Sequence, residues 1–286
     1  MSVSWQSETP PEKTRITALG WGRVVLRGSA LAVLVFGCLA LLLMVRLVER
    51  PLFGVQRPLT PFITVFVCRN AFRILGMRFH TRGRSMRAPG IVVANHSSWL
   101  DIFALNAKKR IYFVSKSEVA GWPGIGWLAR ATGTVFIERN RAKAQEQKAL
   151  FAARLKAGHK LLFFPEGTST DGLRVLPFKT TLFASLFEDD LREEMHVQPV
   201  SVVFDAPKGA ERRFYGWWGD MDFGSHLLKV LAAQPQGGVE ILYHPPVRVA
   251  DFADRKALAA YCEEVVRDGH ASALPLVVDA VAKDHP

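Results

Sequence analysis

The chain has 286 residues, 49% of them apolar, and a formal charge of +11. That length and apolar content fit one catalytic domain with an appendage. The charge is uneven: residues 1–90 hold thirteen Lys/Arg against three Asp/Glu, and residues 91–286 hold twenty-four against twenty-three. Basic residues that bracket apolar runs favour anionic lipid and disfavour nucleic acid as a partner. Cys38, Cys68 and Cys262 have neither metal-ligand spacing nor a disulfide pattern, so no metal is expected.

Residues 1–13 are polar and contain Pro10 and Pro11, so they are expected to fray. An unbroken apolar run follows from Ala30 to Val45, and Arg27 and Arg46 bound 18 uncharged residues. As a helix these would cover about 27 Å, slightly short of a ~30 Å hydrocarbon core. The run either spans with its flanking arginines snorkelling or enters as half of a re-entrant pair. Cleavage as a signal peptide is disfavoured because the apolar run continues past Cys38. Pro51, Pro58 and Pro61 then break the chain. Residues 62–79 read as an amphipathic helix, with Phe62, Phe66, Phe72 and Leu75 on one face and Arg69, Arg73 and Arg78 at its edges along lipid. Residues 1–82 are therefore expected to anchor the chain to a membrane, and residues 83–286 to form the catalytic domain.

In that domain, strands are expected at 91–94, 111–114, 133–140, 160–164, 197–204 and 239–242. Helices are expected up to about 107, over 142–157 and over 255–267. Residues 122–128 read as a packed, Gly/Pro-broken segment. This alternation predicts an α/β fold with a mostly parallel sheet flanked by helices.

Three strands end in polar groups at the edge where such sheets place ligands: Asn95-His96-Ser97, Glu138-Arg139-Asn140 and Pro165-Glu166-Gly167-Thr168. His96 and Asp101 are five residues apart across a strand-to-helix turn, where Ser98 and Asp101 also fit a capping box. A first-turn carboxylate there can fix the imidazole tautomer and leave the far nitrogen as a base. No Gly-x-Ser-x-Gly elbow accompanies the pair, so the nucleophile is expected to belong to the substrate. Arg139 offers a planar cation for an anionic headgroup. Glu166 offers an acceptor for a substrate hydroxyl, and Gly167 and Thr168 offer N–H groups for an oxyanion.

In order and spacing, the blocks Asn95–Asp101, Val135–Arg139, Phe164–Thr168 and Val197–Val200, with Pro177-Phe178-Lys179, resemble the 1-acyl-glycerol-3-phosphate acyltransferases. The resemblance covers about residues 60–205. It implies transfer of an acyl group from acyl-CoA or acyl carrier protein to a lysolipid hydroxyl, without a cofactor, at the cytoplasmic face of a bacterial-type inner membrane. It makes His96 the base and Asp101 its orienter. It gives acceptor contacts to Asn95, Ser97, Arg139, Glu166, Gly167 and Thr168. The third block departs from the usual Gly-Thr-Arg-Ser by placing Ser169 where an Arg is common, and Gly216–Asp222 resembles an aminolipid branch. A lyso-aminolipid such as lyso-ornithine lipid is therefore the expected acceptor. Lysophosphatidate is the alternative, and a membrane-anchored hydrolase a more distant one.

Overall fold

The computed structural model describes residues 5–11, 15–138 and 143–283. Its centre is β2 (Gly90–Ala94), buried at every residue. Ile91 and Val93 pack into one cluster of buried side chains, while Val92 and Ala94 pack into another on the opposite face. Alternation with both faces apolar is what a sheet covered by helices on both sides requires. Each such side chain contributes about 1.5–3 kcal/mol by burial.

The strands β1 (Arg78–Gly83), β3 (Tyr112–Lys116), β4 (Val135–Ile137), β5 (Leu161–Phe163), β6 (His196–Asp205), β7 (Gly238–Tyr243) and β8 (Val247–Arg248) complete the sheet. The order is β1-β7-β6-β2-β5-β3-β4, with β8 on β6. Pairing is parallel except where β6 meets β7 and β8. The expected mostly parallel α/β sheet is therefore present. β2 and β5 are neighbours, so the turns that follow them emerge side by side.

The N-terminal segment is a helical pair, α1 (Ala18–Phe53) and α2 (Thr60–Leu75). The 36 residues of α1 reach about 54 Å at ~1.5 Å per residue, twice the expected apolar run. It is long and apolar enough to cross a membrane, and little of its most apolar window is buried. Arg23 and Arg27 donate to the carbonyls of Leu231, Ala232 and Ala233 at the end of α7 (Phe223–Ala232). Those carbonyls have no partner within the helix, and cations suit a helix C-terminus. Glu49, fully buried, accepts from the N–H groups of Leu59 and Thr60 and from the Thr60 hydroxyl, which caps α2 from α1.

α2 ends earlier than expected. Gly76 takes a left-handed conformation at its C-terminus, and the following residues form β1 against β7. The sheet thus begins inside the stretch expected to be purely an anchor. Phe72 and Leu75 are buried, whereas Phe62 and Phe66 are exposed, so the four do not share one face. Arg69 reaches the Ala107 carbonyl at the end of α3 (Leu100–Lys108).

Other differences are local. Residues 122–128 lead into a regular helix, α4 (Ile125–Thr132), and α5 spans Ala144–Lys156. α7 and a 3-10 segment at Thr180–Phe187 had no counterpart in the expected elements, and the short α6 (Asp189–Arg192) follows that segment. The C-terminal helix α8 runs on from Arg255 to Lys283. Residues 5–11 pack against the domain, with Arg213 donating to Ser7 and Thr9.

Candidate active site

The turn after β2 is folded around one carboxylate oxygen. Asp101 Oδ2 accepts from the N–H groups of Ser97 and Ser98 at 2.7 and 2.9 Å, and lies 2.7 Å from His96 Nδ1. A carboxylate only accepts, so Nδ1 carries the hydrogen and Nε2 keeps its lone pair. Asp101 is 0% exposed, and its other oxygen has no partner. The capping box forms in part: Asp101 reaches back to Ser98 N–H, while Ser98 Oγ accepts from Leu100 N–H. The His96 ring stacks on Phe164 at 4.0 Å between centroids and 10° between planes, which fixes its second axis.

Glu166 lies on the adjacent turn, after β5, and is 1% exposed. One oxygen accepts from His96 N–H at 2.6 Å and the other from Leu176 N–H at 2.8 Å. Burial pushes this carboxyl up to about 8, against the pull of those two N–H groups, with the Asp101 charge adding to the rise. Its two oxygens thereby tie the turn after β2 to the loop at Leu176. Asn95 is likewise taken. Its side chain exchanges two hydrogen bonds with the main chain of Val202, in the manner of a strand partner. The hydroxyl of Ser97 is buried without a partner, and the Ser97 carbonyl accepts from Trp217 N–H.

Gly167 has φ of +72°, a conformation that favours glycine, and its N–H closes the turn onto the Phe164 carbonyl. That N–H is thus spent and does not await an oxyanion. Thr168 Oγ1 accepts from Trp5 N–H at 3.3 Å, so the N-terminal strap lies on this turn. Trp5 meets the edge of Trp218, and the Arg174 guanidinium stacks over Trp5 while pairing with Asp171. Gln6 reaches Asp220. Glu138 pairs with Lys143 at 2.9 Å. Arg139, the expected headgroup cation, lies outside the described residues.

A cavity of about 590 Å³ runs from this site between α1, α2, α3 and α4. Its far walls are apolar, with Leu31, Val35 and Leu39 from α1 and Ile63 and Val67 from α2. His96, Phe164 and Trp217 close its inner end. From α4 come Ile125, Leu128, Ala129 and Thr132, spaced as one helical face. The segment 122–128, expected to be packed, lines this cavity through Trp122, Ile125 and Leu128, and the Trp122 ring meets Trp217 edge-on at 6.2 Å. The 125/128/129/132 spacing was the signal available for the α4 wall. Among the described residues no cluster of three or more His, Cys, Asp or Glu side chains could hold a metal ion.

Comparison with known proteins fits this geometry. A family model described as Acyltransferase matches residues 65–203. The lyso-ornithine lipid O-acyltransferase of Rhodobacter capsulatus is 57% identical over 93% of this chain and 96% of its own length. That of Brucella abortus is 40% identical over 71% of this chain and 79% of its own. The fold is that of the 1-acyl-sn-glycerophosphate acyltransferase PlsC of Thermotoga maritima, with a TM-score of 0.60 at 23% identity, covering 89% of this chain and 94% of that one.

Proposed function

The chain belongs to the acyltransferase family, and from that premise we propose that it acylates the free hydroxyl of a lyso-ornithine lipid, taking the acyl group from acyl-CoA or acyl carrier protein. The observation that carries the reading is the meeting of an apolar cavity with the His96–Asp101 pair. An acyl chain fits the cavity, and its thioester then lies beside the free ring nitrogen. The acceptor headgroup is read from the lyso-ornithine lipid O-acyltransferases whose sequences match along most of the chain.

In this mechanism His96 Nε2 takes the proton of the acceptor hydroxyl as that oxygen attacks the thioester carbonyl carbon. The tetrahedral adduct collapses, the C–S bond breaks, and the imidazolium returns its proton to the departing thiolate. Asp101 stabilises the imidazolium in between. No acyl-enzyme is formed. Ser97 Oγ is buried, and Ser98 Oγ is occupied by Leu100 N–H. Initial-rate patterns should therefore be sequential. Asn95 and Glu166 act by fixing the two loops, not by touching the acceptor. Arg139 keeps its proposed role toward the headgroup.

The helical pair α1–α2 anchors the enzyme at a bacterial-type inner membrane, with the site on its cytoplasmic side, where CoA and carrier-protein thioesters are made. Exposed Phe36, Met44, Phe62, Phe66, Ile102 and Trp127 from four helices support this placement, since isolated soluble domains rarely present so much apolar surface.

The test is transfer by the purified protein in mixed micelles, with lyso-ornithine lipid or lysophosphatidate as acceptor and acyl-CoA or acyl carrier protein as donor, read by mass spectrometry. Diacyl ornithine lipid should be the dominant product. Dominant phosphatidate would overturn the acceptor assignment, and fatty acid released at the same rate without acceptor would make the enzyme a hydrolase.

A further inference from the structure

We infer that Lys179 is a specificity-determining residue for the acceptor, its ammonium holding the carboxylate of the headgroup. The inference rests on the lyso-aminolipid reading above. Lys179 is placed by its main chain: its N–H donates to the Pro165 carbonyl at 3.0 Å, and the neighbouring Phe178 N–H donates to Glu263 at 2.7 Å. The side chain then crosses the turn after β5. A Cβ added to Gly167 would stand 2.8 Å from Lys179 Nζ and 3.3 Å from its Cδ. The missing side chain of Gly167 is thus the space through which the ammonium passes. Gly167 follows Glu166, whose carboxylate holds His96 N–H, so the cation sits on the same turn that fixes the base.

The other described cations around this turn are engaged. Arg174 makes two hydrogen bonds to Asp171 and covers Trp5. Arg267 pairs with Glu263, and Arg213 with Glu211. Lys116 has an interaction of its own. Among the described residues no carboxylate or hydrogen-bond acceptor is recorded for the Lys179 ammonium, and the side chain is exposed. A cation fixed at its root, threaded over a glycine and left without a counter-ion is suited to an anion that arrives with the substrate. A single ammonium is a compact point charge with three donors, enough to hold a monoanionic carboxylate.

The test uses the full-length enzyme with lyso-ornithine lipid and its methyl ester, in wild type, Lys179→Met and Lys179→Arg. Methionine keeps the stem over Gly167 and removes the charge. In wild type the ester should have a KM about tenfold higher than the free acid, between an exposed ion pair and a buried charged hydrogen bond. Lys179→Met should raise the KM of the free acid by the same factor and leave that of the ester unchanged, with kcat and the donor KM within about twofold. Lys179→Arg should restore the preference for the free acid. An unchanged free-acid KM in Lys179→Met, or an equal rise for acid and ester, would overturn the assignment. If the wild type acylates lysophosphatidate and neither ornithine form, the acceptor reading has failed by itself, before any substitution, and the carboxylate assignment falls with it.

Discussion

Asp101→Asn separates two ways in which a carboxylate helps a catalytic histidine. Where the buried oxygens are divided between donors, an amide turns its NH₂ toward the ring and imposes the wrong tautomer. Here all three donors, His96 Nδ1, Ser97 N–H and Ser98 N–H, converge on Oδ2, and Oδ1 has no partner. The asparagine should therefore keep its carbonyl oxygen at the Oδ2 position and bury its NH₂ where Oδ1 lay. The tautomer survives and the charge is lost. With ~4 Å between charge centres and an effective dielectric of about 20, that charge stabilises the imidazolium by about 4 kcal/mol. Turnover should accordingly fall about 10³-fold, with acceptor KM little changed. Steady-state rates beside His96→Ala, together with ¹⁵N shifts of the imidazole, check both halves. Loss of less than tenfold would refute the electrostatic argument, and a hydrogen moved to Nε2 would refute the placement of the amide.

Three further outcomes follow from the same geometry. The Glu166 carboxyl, pushed up by burial to about 8 from an ordinary 4.5, binds its proton more tightly in the folded state. Its contribution to stability is fully present below pH 4.5 and is lost as pH rises through about 8. Thermal unfolding across that window should show stability falling, and Glu166→Gln should flatten the slope. Arg27→Met removes donors to Leu231, Ala233 and Gln234 and should cost about 3 kcal/mol, roughly 6–10 °C in Tm, without releasing the protein from membranes. Ala129→Trp should fill the cavity from α4 and shift donor preference toward shorter chains, with kcat/KM falling about fourfold per methylene excluded, as read by a series of acyl-CoA lengths.

The parts of the fold that are legible in the sequence are those where local chemistry and tertiary position agree. The apolar runs of β2, β5 and β6 are rich in branched residues and buried on both faces, so their pattern needs no partner to be recognised. The His96–Asp101 pair is legible for the same reason, because both residues lie on one turn. β1 is not legible: Arg-Phe-His-Thr-Arg-Gly carries charges suited to an exposed edge, and it pairs with β7, at residues 238–243 and far off in sequence. α7 is signalled only by Asp222, which caps it through Ser225 N–H and follows directly on an aromatic loop. The roles of Asn95 and Glu166 could not be read at all. Their polarity resembles that of substrate ligands, and only the fold shows that main-chain groups 107 and 70 residues away satisfy them.

The same distinction explains how the helical pair belongs to the site. α1 and α2 present apolar residues outward and line the cavity inward, so in the proposed membrane-bound enzyme one layer of helix would separate bilayer and cavity. Drawing an acyl chain into water costs ~0.8 kcal/mol per methylene. A route from lipid to cavity along α1, α2 and α4 avoids that cost. The route must end on something rigid, because the hydroxyl, the thioester and the base have to be held in reacting geometry, where a displacement of about 1 Å can cost about 10²-fold. The rigid end is the pair of turns after β2 and β5. Each is tied to the main chain by a buried side chain, and the two are tied together through Glu166 and His96 N–H. Arg23 and Arg27 hold α1 to the end of α7, and α7 also carries His226, which accepts from the Trp99 indole N–H. Loosening that joint should therefore reach Trp99, which lines the cavity together with His96.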